Sequence, residues 1–182
     1  MPKTIRLIRH AQSTFNAAYE ATGTDPLHFD ARLSPLGRAQ VAQARTMLAP
    51  LDHDLIVVSP LTRAIETALG LFDASPVMRI EALARERLSN SCDIGRPPHL
   101  LAREFPHLAF GHLDDTWWYD GTRDDRDIPV EPDDVFAERI SAFRGWLAAR
   151  PEATITVVAH GTLLHALTGR AFANCEAFAW QI

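Results

Sequence analysis

The sequence is poor in cysteine, with Cys92 and Cys175 as its only two. They lie far apart and have no partner at the short spacing of zinc-binding pairs, so neither a disulfide framework nor a thiolate metal site is expected. A small buried hydrophobe is the ordinary role of such a residue. The cysteine content therefore predicts a reduced setting.

Long apolar runs and an excess of positive charge are also missing. The first ten residues, MPKTIRLIRH, do not contain the apolar stretch of about 7–15 residues that a signal peptide needs. No other stretch approaches the roughly 18 apolar residues of a membrane span. The formal net charge is −5, which gives no support to a nucleic-acid or anionic-membrane partner. We expect a cytoplasmic protein with no nucleic-acid or membrane partner.

Three segments have the composition of buried β-strands. They are residues 4–8 (TIRLI), 54–58 (DLIVV) and 154–159 (TITVVA). The second and third are β-branched and almost continuously apolar, which is typical of strands covered on both faces of a sheet. Polar residues follow the three strands, namely Arg9 and His10, Ser59 and Pro60, and His160 and Gly161.

Helical patterns follow these strands. Ser-Pro pairs at 34–35 and 59–60 supply an N-cap and a first-position proline for two helices. Two further helices are predicted to begin near Asp133 and after Gly161. From their helical spacing, the buried faces are expected to hold Val41, Ala44, Met47 and Leu48 in the first helix, and Val135, Ile140, Phe143 and Leu147 in the helix from Asp133.

Strands that alternate with helices predict an α/β fold, a three-layer α/β/α sandwich with a largely parallel central sheet. We expect residues 1–182 to form a single domain. Residues 88–130 are rich in Pro, Asp and His, and we interpret them as an irregular, lid-like insertion over the site. Their aromatic cluster, Trp117 to Tyr119, is interpreted either as a wall of the substrate pocket or as part of the core.

Arginine and histidine residues gather at one edge of this predicted sheet. Ligands of such sheets bind outside the carboxyl ends of the strands, where Arg9, His10 and His160 lie. Arg63 falls in the first turn of the helix after Ser59. A guanidinium fork matches two phosphate oxygens, and a helix N-terminus adds free N–H groups and the positive end of its dipole. The sequence predicts a site for a small, strongly charged anion.

Four sequence features occur in a fixed order: RHAQSTFN, SPLTRAIETA, a Glu at position 86, and VVAHG. Together they resemble the histidine phosphatase superfamily, whose fold is called phosphoglycerate mutase-like. The resemblance covers nearly the whole chain, although residues 88–130 supply little of it. One departure is Ala11, where the family commonly has Gly. Alanine is the smallest replacement, so we expect a geometry still compatible with phosphate.

The resemblance implies double displacement on a phosphomonoester. His10 attacks phosphorus and forms a phosphohistidine, and water then releases phosphate. Arg9, Arg63 and His160 would hold the non-bridging oxygens, and Asn16 matches a family residue that reaches the phosphate or the substrate. The attacking nitrogen of His10 must be unprotonated, with its other nitrogen held by a backbone carbonyl or a carboxylate. For His160 a protonated donor is expected.

The departing alkoxide needs a proton, and the resemblance implies that Glu86 supplies it. A carboxyl that is protonated near neutral pH needs a pKa raised by burial or by bound phosphate. Glu81 and Asp93 lie close by in the sequence and remain alternatives for this role.

We therefore expect a metal-independent phosphomonoester hydrolase that acts on a small phosphorylated substrate and uses no cofactor. No His pair or Cys cluster has metal-ligand spacing. Two alternatives stay open: a phosphoglycerate mutase-type phosphotransferase, and a catalytically silent relative that binds a phospholigand or a protein. Family mutases are longer and carry extra basic residues for a substrate carboxylate. Candidates for a second anionic group here are Arg96, Arg103, Arg123 and Arg126. The natural substrate and the oligomeric state stay open.

Overall fold

The computed structural model describes residues 3–48 and 53–182. Strands and helices alternate along the chain. In order they are β1 (Thr4–Arg9), α1 (Thr14–Thr22), α2 (Pro35–Leu48), β2 (Leu55–Val58), α3 (Thr62–Phe72), β3 (Met78–Ile80), α4 (Pro98–Glu104), α5 (Asp133–Ala148), β4 (Ile155–Ala159), α6 (Gly161–Thr168) and β5 (Ala177–Gln181). Two short 3₁₀ turns lie at Ala82–Ala84 and Ser91–Asp93.

The five strands form one sheet in the order β3-β2-β4-β1-β5. The first four strands in this order are parallel, and β5 runs antiparallel along β1. Ile8 and Val58 both pair with Val158, so β1, β2 and β4 end at the same level. The chain therefore leaves all three strands at one edge of the sheet, as the sequence predicts.

Each face of the sheet carries its own hydrophobic core. Ile8, Val58 and Val158 pack on one side against α2, α3 and α4, while Leu7 and Val157 pack on the other side against α5, α6 and β5. This alternation follows from the two-residue period of a strand. The three-layer α/β/α architecture with a largely parallel sheet is thus confirmed.

Two details of the predicted helices are wrong. Helix α3 begins at Thr62 with Leu61 as its N-cap, not at the Ser59–Pro60 pair. The Ser59 hydroxyl accepts from the backbone N–H of Leu61 and also bonds to the imidazole of His160. The buried faces also differ from those expected. Met47 is 69% exposed. In α5, Phe143 and Leu147 are buried and the half-buried Ile140 packs against the same core, as expected, but Phe136 and Arg139 are buried as well.

Several elements were not predicted, namely α1, α4, β3 and β5. The side chains of Ser13 and Asn16 form a reciprocal capping box that starts α1. Within residues 88–130, Leu101 of α4 and Trp117 pack into the core, and the Trp117 indole N–H donates to the carbonyl of Arg96 at 2.8 Å. Trp117 is therefore a core residue. The lid function of residues 88–130 stays a prediction.

None of the helices in residues 3–48 and 53–182 combines the length and the apolar composition needed to cross a bilayer.

Candidate active site

A small cleft opens at the edge of the sheet where β1, β2 and β4 end. Its volume is about 110 Å³, and its lining residues are Arg9, His10, Phe15, Asn16, Arg63, Glu86, Ser89, Asn90, Cys92, Asp93 and Thr162. An adjoining cavity of about 400 Å³ shares Arg9, Glu86 and Thr162 with it. His160 lines neither cavity but lies next to His10, with their ring centroids 5.0 Å apart. The fold thus brings all six predicted site residues together.

His10 is buried, and both of its ring nitrogens are engaged. Nδ1 lies 2.7 Å from the backbone carbonyl of Ala11, and because a carbonyl only accepts, Nδ1 carries the proton. Nε2 then accepts from Nε of Arg63 at 3.3 Å. Burial, assisted by the Arg63 charge, holds the pKa of His10 well below its usual value. The imidazole is therefore neutral, its Nε2 lone pair is directed at Arg63, and the residue lines the cleft.

Arg63 is held by three contacts in the first turn of α3. Besides Nε on His10, Nη1 donates to the carbonyl of Cys92 at 2.6 Å, and Nη2 donates to Oδ1 of Asp93 at 2.8 Å. Asp93 accepts further hydrogen bonds from the backbone N–H groups of Ser89 and Asn90. This network fixes a buried guanidinium plane beside the His10 ring.

Arg9 supplies a second cation with spare donor capacity. Its Nη1 donates to the carbonyl of Phe172 at 2.6 Å, while its buried Nε has no hydrogen-bond acceptor among the described residues. A Cβ added to Gly161 would come within 3.3 Å of that Nε, so glycine leaves room for the side chain. An unsatisfied buried donor on a cation favours a bound anion.

His160 precedes α6 and bonds to a serine. Its Nε2 lies 2.7 Å from Oγ of Ser59, and Oγ also accepts from the backbone N–H of Leu61 at 3.3 Å. If Ser59 donates to Nε2, the proton of His160 sits on Nδ1, which is buried without a partner in the described residues. Burial and then Arg63 hold the pKa of His160 well below its usual value. Burial beside Arg63 disfavours the cationic form of His160, and its role as a protonated donor stays a prediction.

Glu86 lines both cavities and lies at the N-terminus of α6. One oxygen accepts from the backbone N–H of Thr162 and the other from that of Leu163, each at 3.0 Å. The second oxygen also accepts from Arg87 N. These bonds stabilise the carboxylate, but burial and the neighbouring Asp93 outweigh them and raise the pKa of Glu86. The group has the raised pKa that a general acid needs.

The two alternative carboxylates are engaged elsewhere. Asp93 forms a buried ion pair with Arg63, so its charge is paired with the guanidinium beside His10. Glu81 accepts from the backbone N–H of Leu83 and lies 3.8 Å from Arg79, and it does not line the cleft. Asp93 does line the cleft, and burial raises the pKa of its carboxyl as well, so it stays an alternative to Glu86 as the predicted proton donor.

Asn16 lines the cleft from the first turn of α1. Its side-chain oxygen accepts from the backbone N–H of Ser13 at 3.0 Å and from the Ser13 hydroxyl at 2.9 Å. This capping contact orients the side chain and leaves its amide nitrogen available to a ligand. Asn16 therefore combines a structural role with a place at the site.

Sequence reasoning missed several residues of the site. Ser59 had been explained as a helix cap, and the polar run that contains Ser89, Asn90 and Cys92 carried no motif of its own.

At Ala11 the backbone does not adopt a positive φ, and its N–H donates to Oγ1 of Thr67 at 3.1 Å. Alanine therefore fits this position without strain.

Three of the four arginines considered for a second anionic group of the substrate form ion pairs with carboxylates of this chain. Arg96 bonds to Asp30 and Glu104, while Arg123 and Arg126 bond to acidic residues of their own loop, Asp120 and Asp124. In the part of the chain that the structure describes, no three His, Cys, Asp or Glu side chains gather so as to hold a metal ion.

Sequence comparison identifies relatives along the whole chain. The model of the histidine phosphatase superfamily (branch 1) matches residues 5–182. A phosphoglycerate mutase-like protein of Arabidopsis thaliana is 30% identical, and the match covers 95% of this chain and 76% of that protein. A glucosyl-3-phosphoglycerate phosphatase of Mycolicibacterium vanbaalenii is 31% identical, with 89% of this chain and 71% of that protein covered.

Solved structures show the same fold at lower sequence identity. The α-ribazole phosphatase of Shigella flexneri matches with a TM-score of 0.66 at 20% identity, over 97% of this chain and 89% of that one. A mycobacterial glucosyl-3-phosphoglycerate phosphatase in complex with VO3 matches with a TM-score of 0.61 at 24% identity, over 97% and 92%.

Proposed function

The chain belongs to the histidine phosphatase superfamily, and on that premise we propose that it hydrolyses a small phosphomonoester through a phosphohistidine at His10. The observation that carries the proposal is the state of this imidazole. Its proton is fixed on Nδ1 by the Ala11 carbonyl, and Nε2 faces a cleft that holds Arg9 and Arg63. A neutral nucleophile beside two cations suits attack on a phosphate dianion.

The reaction takes two steps. In the first, the Nε2 lone pair of His10 forms a bond to phosphorus while the bond from phosphorus to the ester oxygen breaks, and that oxygen takes the proton of Glu86. In the second, a water oxygen forms a bond to phosphorus while the bond from phosphorus to Nε2 of His10 breaks, and the Glu86 carboxylate takes a proton from the water. Phosphate leaves, and both side chains return to their starting states.

Charge on the transferred group is stabilised by side chains. Arg63 and Arg9 supply guanidinium donors, Asn16 supplies an amide, and His160 supplies the N–H at Nδ1. Nε of Arg9 and Nδ1 of His160, which are buried and have no partner among the described residues, are the donors that we assign to phosphate oxygens. We propose that the two guanidinium groups neutralise the phosphoryl charge and that the Asn16 and His160 donors hydrogen-bond its oxygens, without a metal ion.

The charge distribution favours a hydrolase over a mutase. A mutase must hold a substrate that carries a second anionic group, yet Arg96, Arg123 and Arg126 are paired with carboxylates. The fourth candidate, Arg103, is exposed and lines neither cavity of the site. The matched phosphatases, whose names include glucosyl-3-phosphoglycerate and α-ribazole phosphatase, also support hydrolysis of small phosphorylated compounds. A silent binder has no need for the neutral, oriented His10.

Phosphate release from p-nitrophenyl phosphate between about pH 5 and 8, with EDTA present, tests the proposal. We expect activity in the parent that EDTA does not remove, and none in His10→Ala. Exposed His99 of α4 provides the control, since His99→Ala should retain the parent rate. Activity that survives in His10→Ala would contradict the proposed nucleophile. Activity lost with EDTA would contradict metal independence.

A further inference from the structure

A single cation interrupts the buried face of α5. This helix buries Phe136, Phe143 and Leu147, and between them it buries Arg139, which is 6% exposed. A guanidinium in an apolar stripe is costly unless each of its donors finds a partner. The neighbours of Arg139 therefore indicate what it holds.

All five N–H groups of Arg139 have an acceptor. Nε and Nη2 donate to the two carboxylate oxygens of Glu131, at 2.9 and 2.7 Å. Nη1 donates to the backbone carbonyls of Leu83 and Arg85, at 3.1 and 2.9 Å. The second proton of Nη2 points to the carbonyl of Glu86 at 3.3 Å. Since a guanidinium has five donors in a fixed plane, this side chain is fully used.

Glu131 completes the clamp from the other side. Its side chain is fully buried, and one oxygen also accepts from Nη2 of Arg85 at 3.2 Å. Its backbone N–H donates to the carbonyl of Leu88 at 2.8 Å. The chain from Leu83 to Leu88 is therefore held near its start, its middle and its end by one buried ion pair.

This held segment contains the proposed proton donor. Glu86 lies outside any helix or strand, so no ladder of backbone hydrogen bonds fixes its main chain. Its carboxyl group is bound by α6, and its carbonyl by Arg139. We propose that Arg139, oriented by Glu131, is a positioning residue that fixes the main chain of Glu86 so that its carboxyl group faces the leaving oxygen. The inference rests on the proposed function, since it assigns Glu86 a proton to deliver.

The test compares two substrates that differ in their need for a proton. Cleavage of an alkyl ester such as glycerol phosphate releases an alkoxide, which requires a general acid. Cleavage of p-nitrophenyl phosphate releases p-nitrophenolate, which departs without one. In Arg139→Lys the charge beside Glu131 is kept, but one ammonium cannot reach the three carbonyls. We expect kcat/KM to fall about tenfold or more for glycerol phosphate and less than about threefold for p-nitrophenyl phosphate, a fraction of the 10²–10⁴ range of general acid catalysis.

A double-mutant cycle with Glu86→Gln separates positioning from structural damage. Once the donor is gone, Arg139→Lys should change kcat/KM for glycerol phosphate by less than about twofold. Arg144→Lys is the matched control, because Arg144 is exposed on the same helix and lies over the Trp180 ring. We expect parent rates on both substrates in this control.

Equal losses on both substrates would overturn the inference, as would a loss from Arg139→Lys that persists in the Glu86→Gln background. If Arg139→Lys does not fold, Glu131→Gln replaces it and should show the same substrate-selective loss at smaller size. Equal losses in that variant would overturn the inference too. A parent enzyme inactive on both substrates would instead contradict the proposed function itself.

Discussion

The two halves of the candidate site are built in different ways. The phosphate cradle consists of His10, Arg63 and His160, which directly follow strands or begin a helix and are fixed by the register of β1, β2 and β4. The donor segment, residues 83–88, lacks a strand or an α-helix and is held by side chains that bind its carbonyls. Regular secondary structure positions the first, and a buried ion pair positions the second.

The difference indicates which changes each half tolerates. A side chain at a strand end keeps its place when a neighbour changes, because the sheet sets its backbone. Glu86 depends on the contacts of distant residues, so its geometry is sensitive to substitutions in α5 that never touch a ligand. The cradle should therefore respond mainly to changes in its own side chains.

Replacing the buried guanidinium of the cradle should have the largest effect. Arg63→Lys loses the planar fork that contacts His10, Cys92 and Asp93. We expect kcat/KM to fall about 10²–10³-fold on both p-nitrophenyl and glycerol phosphate, as when one positioned donor is removed from a developing anion. Arg45→Lys, at an exposed pair with Asp73, is the control. A loss confined to one substrate would contradict the cradle role.

Removing the carboxyl of Glu86 should affect the two substrates unequally. Glu86→Gln is expected to cost about 10²-fold on glycerol phosphate and much less on p-nitrophenyl phosphate, because only the alkoxide needs a proton. The measurement is kcat/KM for each ester. A similar loss on both would place Glu86 in phosphate binding instead.

The pH dependence of kcat/KM should distinguish the same two groups. Glu86 acts protonated and its pKa is raised, so activity on glycerol phosphate should fall as pH rises through that value, and this limb should vanish in Glu86→Gln. His10 acts unprotonated and its pKa lies well below 6.5, so the acidic limb belongs below that pH. A basic limb unchanged in Glu86→Gln would contradict the assignment.

Loss of the Ser59 hydroxyl should have a moderate effect. Ser59→Ala removes the partner of Nε2 of His160, and one hydrogen bond has a net value of about 1 kcal/mol. We expect kcat/KM to fall about five- to tenfold on both esters. A change below twofold would show that packing alone orients His160.

The smallest effect is expected at Ala11. Since its backbone does not adopt a positive φ, Ala11→Gly should leave kcat/KM within about twofold. Glycine gains backbone freedom in the unfolded chain, so the free energy of unfolding should fall by roughly 0.5–1 kcal/mol, measured by urea denaturation. A large gain in activity would mean that alanine distorts the site.

The cradle could be predicted from sequence because its signals are local. Apolar β-branched runs predicted β2 and β4, and a parallel sheet requires their ends to meet. The predicted start of α3 was too early, because a Ser-Pro pair is only a local cap signal. The Ser59 hydroxyl also bonds to a residue that is distant in the sequence, His160. Short edge strands such as β5 depend on pairing with β1, which no local pattern reveals.

The clamp on Glu86 could be predicted only in part. Arg139 stands at helical spacing from Phe136 and Phe143, and a cation inside an apolar stripe is a visible anomaly. Its carboxylate partner Glu131 is close in the sequence, but its other three partners are backbone carbonyls up to 56 residues away, and a carbonyl carries no residue identity. The function of such a residue emerges only when the backbone it binds is known.

Trapping the phosphoenzyme tests the central claim most directly. The active enzyme would be mixed with p-nitrophenyl phosphate, quenched within milliseconds at alkaline pH and analysed by peptide mass spectrometry. We expect one phosphoryl group on the peptide that contains His10, and none in His10→Ala. An active parent that accumulates no phosphorylated peptide, and that inverts the configuration at phosphorus of a phosphate ester made chiral with oxygen isotopes, would contradict a phosphohistidine intermediate. Water would then attack the substrate directly.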